Sequence, residues 1–265
     1  MEGNTCGIFG FVLNKPLPMA RVFRVLEKLE VHQYANEPLP LGGYGAGVAL
    51  LLENGTLLDE KIGKVEGSPA HALADIMNAD KASVLIGHVR MPSPEFMKTA
   101  QHKETAQPYV VGKEPALTVA SVHNGKIENY KELRKRLDGG HVFESEKYEL
   151  VDSEVIPHFF EETLFEHGEM KEALYSFFCD IQGSGAIAML QLGTRLGFLH
   201  LLHKGKTRGL NVWTNNSNEV IFCTREEVLL DELGSLLEAN KFGKRLSIGY
   251  HEEAGFLRSY LLPST

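Results

Sequence analysis

The chain has 265 residues, 43% hydrophobic and 23% charged, which is enough to bury a core in one large domain or two small ones. Its 35 acidic residues outnumber its 27 basic ones for a net charge of −8, which argues against nucleic acid or an anionic membrane as a partner. No apolar run approaches the ~18 residues of a membrane span, the first five residues lack a signal-peptide pattern, and Cys6, Cys179 and Cys223 are too scattered for a disulfide framework, so a cytoplasmic protein is expected.

Cys6 leads an apolar strand, Gly7-Ile8-Phe9-Gly10-Phe11-Val12, after only five residues. Residues 18–34 space Val22, Val25, Leu26 and Leu29 for an amphipathic helix behind Pro16 and Pro18. Strands at 45–52 and 56–62 around Asn54-Gly55 form a hairpin, followed by a helix at 69–79 and a buried strand at 83–88 running into Arg90. Residues 91–108 contain three prolines and little periodicity, the mark of a functional or a disordered loop, and form a candidate lid. A strand at 116–122 ends in His123-Asn124-Gly125, and a charged helix spans 127–137. The basic run Lys131 to Arg136 shares that helix with Glu128 and Glu132 and reads as a solvated face. Helices at 152–165 and 169–180 follow, the first with Asp152, Ser153 and Glu154 as an acidic start suited to the helix dipole. Strands at 185–192, 195–203, 210–214 and 219–224, a helix at 225–238 and a strand pair near 246–260 close the chain. Strands, a helix pair and strands again suit an α+β layered sandwich rather than a doubly wound parallel sheet.

The histidines include no HExxH and no close His/Cys cluster, so neither a metal nor any other cofactor is expected. The Gly42 to Gly47 cluster lacks a following helix and a Gly-Lys-Ser/Thr, and reads as a tight turn rather than a phosphate loop. Gly183-Ser184-Gly185 lacks the frame of a nucleophilic serine. Cys6 alone would be an inert small hydrophobe. If residues 1–5 were a propeptide, however, Cys6 would carry a thiol and an α-amine on one residue, with the amine as base for the thiol. Attack on a carboxamide then needs donors for the oxyanion, which the Asn124 side chain and the Gly125 backbone N–H suit.

Taken together, five segments in order resemble the class-II glutamine amidotransferases of the N-terminal nucleophile hydrolase fold. They are Cys6-Gly-Ile-Phe-Gly, Gly87-His-Val-Arg90, Ala106-Gln-Pro108, His123-Asn-Gly125 with Glu128-Asn-Tyr, and Asp152-Ser-Glu-Val. The resemblance implies a four-layer αββα sandwich across residues 6–265 that hydrolyses glutamine to glutamate and ammonia through a Cys6 thioester. It also implies that Arg90 binds the α-carboxylate and Asp152 the α-ammonium, roles suited to a guanidinium fork and a carboxylate. After Arg90 the chain departs from the usual pattern with Met91-Pro-Ser-Pro-Glu95, where Ser93 would supply the hydroxyl of the family's threonine.

Family members join this domain to a synthase that consumes the ammonia, and this chain leaves no room for one, so a separate synthase subunit is the expected partner. The Arg90-Met91 pairing resembles that of the separate amidotransferase subunits associated with split glutamate synthases. Two alternatives remain open: a hydrolase of γ-glutamyl amides or peptides, and a silent glutamine-binding module with Cys6 masked by residues 1–5.

Overall fold

The computed structural model describes residues 6–114, 117–137, 139–194, 196–206, 209–249 and 254–263, so the expected propeptide 1–5 lies outside the described residues. The first half of the chain contains β1 (Gly7–Pro18), α1 (Met19–Val31), β2 (Gly45–Leu51), β3 (Leu57–Gly63), α2 (Pro69–Ile76), β4 (Lys81–Val89), β5 (Tyr109–Glu114) and β6 (Leu117–Ile127). The second half contains α3 (Tyr130–Arg136), α4 (Val155–His167), α5 (Met170–Asp180), β7 (Gly183–Gly193), β8 (Gly197–Lys204), β9 (Leu210–Thr214), β10 (Val220–Cys223), α6 (Glu226–Ala239), β11 (Gly243–Ile248) and β12 (Phe256–Leu261).

Among the described residues two sheets form, one of seven strands in the order β11-β9-β10-β1-β4-β2-β3 and one of five in the order β12-β8-β7-β6-β5. All their pairings are antiparallel. Strand alternation sorts the side chains into layers. On β1, Ile8 and Val12 enter the apolar layer between the sheets, where Ala120, Val122, Ala188 and Leu199 meet them from the other sheet. Phe9 and Phe11 point outward under Val22, Val25, Leu26 and Leu29 of α1, joined by Leu229 and Leu233 of α6. On the far side, Val155, Phe159 and Phe160 of α4 and Phe177 of α5 cover Val119 and Met189 of the five-stranded sheet. Fully burying side chains of this size contributes roughly 1.5–3 kcal/mol each before conformational entropy is counted. The result is the expected αββα sandwich.

The helix ends follow local chemistry. Ser68 caps α2, its Oγ accepting from His71 N at 3.1 Å with Pro69 in the first turn, and it donates to Glu30 Oε2 at 2.5 Å, which ties α2 to α1.

Four segments differ from the sequence reading. β5 is a strand within the stretch left unassigned before residue 116. β6 continues through His123-Asn124-Gly125 to Ile127, so that motif is paired in a sheet rather than placed after a strand end. The 91–108 segment is ordered by two 3-10 turns, Pro94–Thr99 and Lys103–Thr105, that bury Phe96, Thr99 and Thr105. β11 and β12 do not pair with each other; each adds to the edge of a different sheet, because β11 bonds to β9 and β12 to β8. The glycine-rich turn before β2 agrees with expectation, with Gly43 and Gly45 both at positive φ.

Candidate active site

Cys6 stands at the end of β1, beside the ends of β4 and β6. Its Sγ lies 3.4 Å from both Met91 N and Met91 O, and its backbone N donates to Asn124 Oδ1 at 3.1 Å. Asn124 continues the Ala120 and Val122 face of β6 into the space between the sheets, so strand alternation aims its carboxamide at the Cys6 end of β1. It is 2% exposed and is not itself part of the cleft lining. Gly125 is on that lining, and the cleft has a volume of about 770 Å³.

Arg90 and Asp152 line the same cleft, with Ser93, Thr105, Gln107, His123 and Ser153. Arg90 is 4% exposed and its guanidinium donates to two neutral hydroxyls, Thr105 Oγ1 at 2.6 Å and Thr99 Oγ1 at 3.2 Å. Among the described residues it has no ion-pair partner within 4.0 Å. Burial pulls its pKa down from the usual arginine value, opposed in part by Tyr109, Cys6 and Asp152. Asp152 is 6% exposed; burial raises its carboxyl to about 6, although hydrogen bonds from the backbone N–H groups of Ile127 and Ser153 favour the charged form. The Ile127 bond measures 2.8 Å.

The acidic start of the helix thus does something other than complement a dipole. Asp152–Glu154 form a 3-10 turn ahead of α4, and the three side chains diverge. Asp152 faces the cleft, Ser153 Oγ lies 2.9 Å from His123 Nδ1, and Glu154 accepts from Glu144 N at 2.6 Å, from Ser145 N at 3.0 Å and from Ser145 Oγ. Burial raises Glu154 to about 7 despite these bonds. The His123 ring lies over the paired Gly125 and Gly185, where a Cβ would come within 2.7 or 2.6 Å of its Nε2, so both positions must lack a side chain.

The structure therefore brings Cys6, Arg90, Asn124, Gly125 and Asp152 to one end of the sandwich. Ser93 reaches the cleft wall ahead of the first 3-10 turn, while the hydroxyls on Arg90 come from Thr99 and Thr105. Sequence reasoning missed those two threonines because their approach depends on the paired 3-10 turns. It also missed the side chains of Gln107 and His123, although both stand inside motifs already singled out.

Residues 95–231 match the family model described as a glutamine amidotransferase domain. The chain belongs to the class-II glutamine amidotransferase domain family. Among curated relatives, the glutamine–fructose-6-phosphate aminotransferase (isomerizing) of Gluconobacter oxydans is 31% identical over 187 residues, 70% of this chain and 26% of that protein. The Helicobacter pylori protein of the same name is 31% identical over 247 residues, 90% of this chain and 36% of its own length. The amidotransferase domain here thus spans between about a quarter and a third of these relatives' length. Among solved structures, the glutamine phosphoribosylpyrophosphate amidotransferase of B. subtilis superposes with a TM-score of 0.66 at 18% identity, covering 96% of this chain and 49% of that one, which shows the same fold. Among the described residues no helix of this amidotransferase domain is long and apolar enough to cross a membrane.

Proposed function

We propose that the chain hydrolyses the γ-amide of glutamine to glutamate and ammonia, with Cys6 as nucleophile. The observation that carries this reading is the pair of buried, opposite and mutually unbonded charges in the cleft beside Cys6. Among the described residues Arg90 has no carboxylate partner and Asp152 no cationic one, and buried charges are costly until paired. A free α-amino acid offers both counterions at once, which leaves its side chain to reach toward the thiol.

In the proposed cycle, release of residues 1–5 frees the Cys6 α-amine, which takes the thiol proton. Sγ bonds to the γ-carbon and the carbonyl electrons move to oxygen. Asn124 Oδ1 already accepts from Cys6 N, leaving the carboxamide NH₂ of Asn124 to donate to that oxyanion together with Gly125 N–H. Collapse breaks the C–N bond, and ammonia leaves with the proton returned from the Cys6 ammonium. Water then adds to the thioester and expels the thiol, giving glutamate. Ammonia passes to a separate synthase subunit, of the glutamate synthase type suggested by the sequence or of another acceptor chemistry.

The test is ammonia release from glutamine by protein whose intact mass confirms Cys6 as the first residue, with Cys6→Ala as control. Turnover that disappears in the control supports the reading; a Cys6-terminal protein that releases no ammonia ends it. A cleft of about 770 Å³ is as large as pockets that take drug-sized ligands, which favours γ-glutamyl peptides as a second reading. Faster cleavage of γ-glutamyl dipeptides than of glutamine would select that alternative.

A further inference from the structure

We propose that Gln107 is a positioning residue that holds the oxyanion strand in register with the Arg90 loop; this rests on the function proposed above. The β5–β6 ladder pairs Tyr109 with Ser121 and Val110 with Ala120, so by the same antiparallel count Gln107 falls opposite His123. The ladder's first backbone pair is Tyr109 with Ser121, and no backbone pairing continues to Gln107 and His123. The Gln107 side chain substitutes for the ladder: Oε1 accepts from His123 N at 2.6 Å and Nε2 donates to His123 O at 3.1 Å. One carboxamide thereby satisfies both backbone groups of the residue that precedes Asn124 and Gly125. It is 6% exposed, so neither backbone group has ready water as a substitute.

The peptide carrying this side chain is fixed from two further directions. The Lys61 Nζ donates to Pro108 O at 3.1 Å. The Gln107 carbonyl lies over Gly47, where a Cβ would come within 2.1 Å of it. Two residues earlier, Thr105 Oγ1 takes the Arg90 guanidinium. One short segment therefore touches both halves of the site, the carboxylate-binding arginine through Thr105 and the oxyanion donors through Gln107. The two Gln107 bonds end on β6 rather than on Arg90, so their loss acts on the transition state more than on glutamine binding.

The decisive variants are Gln107→Met, which keeps most of the volume and loses both bonds, and Gln107→Ala. Displacing a reacting group by ~1 Å can cost ~10²-fold in rate, and both variants are expected to lose about 10- to 100-fold in kcat while the glutamine KM changes less than about threefold. Gly47→Ala, which pushes on the same peptide from below, is expected to lower kcat as well. Hydrogen exchange at the His123 amide supplies a readout independent of turnover and should accelerate about tenfold or more in Gln107→Met. A wild-type kcat in Gln107→Met would mean that the side chain only fills space and would overturn the proposal. So would a loss confined to KM, or an unchanged His123 exchange rate. A wild-type protein that releases no ammonia would defeat the proposed function instead, and the exchange measurement would still decide whether Gln107 holds the strand.

Discussion

The space between the two sheets changes character along its length. On β4 the inward-facing positions run Val84, Ile86, His88 and then Arg90, just beyond the strand; on β6 they run Ala120, Val122 and Asn124. On β1 the same face passes from Val12 through Ile8 to Cys6. Each strand keeps its period of two, but its last inward residues switch from apolar to polar or reactive. The apolar end can close by packing alone. The other end contains buried polar groups that need partners; among the described residues hydroxyls, the Asn124 and Gln107 carboxamides and backbone amides serve some of them, while Arg90 and Asp152 have no oppositely charged partner. That incompleteness separates a site from a core.

Several substitutions would break or sharpen this contrast. Removing an oxyanion donor typically costs ~10²–10³ in kcat, so Asn124→Ala should lose that much with glutamine binding preserved; an unaffected kcat would exclude Asn124 from the chemistry. Arg90→Ala should act in the complementary way, raising the glutamine KM about a hundredfold by removing a buried partner of a charged group, and near-normal saturation would refute the carboxylate assignment. At the apolar end, Ile86→Ala should destabilise the fold by about 2–5 kcal/mol and leave the glutamine KM of the remaining folded protein unchanged. A KM shift there would show that the two ends are not separable.

Titration offers smaller effects. Asp152 must be a carboxylate to hold an ammonium, and burial holds its carboxyl up at about 6, so kcat/KM for glutamine should fall with acid through an apparent pKa of about 6. Asp152→Asn should give a low value without that inflection, and an unaltered inflection in the variant would assign it to another group. The stability profile has the opposite contributions to weigh. Burial holds His88, His158 and His200 down at about 3, so they stay neutral in the folded state where the unfolded chain takes up protons. Asp152 and Glu154, held up at about 6 and about 7, bind protons more readily folded than unfolded. Near pH 5 the histidines dominate and the unfolded state binds on the order of one proton more, so stability should rise with pH by roughly 1–2 kcal/mol per unit. Urea unfolding at pH 4.5, 5.5 and 6.5 checks the sign, and a protein more stable at the acidic end would contradict it.

Much of this arrangement was legible in the sequence. Hydrophobic periodicity located α1, which buries one regular face, and the Asn54-Gly55 turn located the β2–β3 hairpin. The five motifs located the residues at the reactive end, because the chemistry needs particular side chains at strand ends. What escaped reading depends on contacts distant in the chain. β5 is short and broken by Gly112, and only its pairing with β6 identifies it as a strand. Thr99 and Thr105 converge on Arg90 through two 3-10 turns whose geometry has no periodic signal. The closing strands were expected as a pair near 246–260, yet each adds to a different sheet, β11 beside β9 and β12 beside β8. Ser93, expected from the resemblance to stand in for the family's threonine, lines the cleft, while the hydroxyls bonded to Arg90 are those of Thr99 and Thr105.

The place of β1 in its sheet also sets a schedule for synthesis. The strand carrying Cys6 is made first, but it pairs on one side with β4 and on the other with β10, more than 200 residues later. Thr224, just past β10, bonds the backbone of Ile8 directly, donating its hydroxyl to Ile8 O at 3.4 Å and accepting from Ile8 N at 3.3 Å. A contact of that sequence separation is slow to form and cannot form on a shorter nascent chain. The ribosome must therefore deliver nearly the whole domain before Cys6 acquires its final surroundings, which keeps its thiol outside the finished cleft until late in the domain's translation.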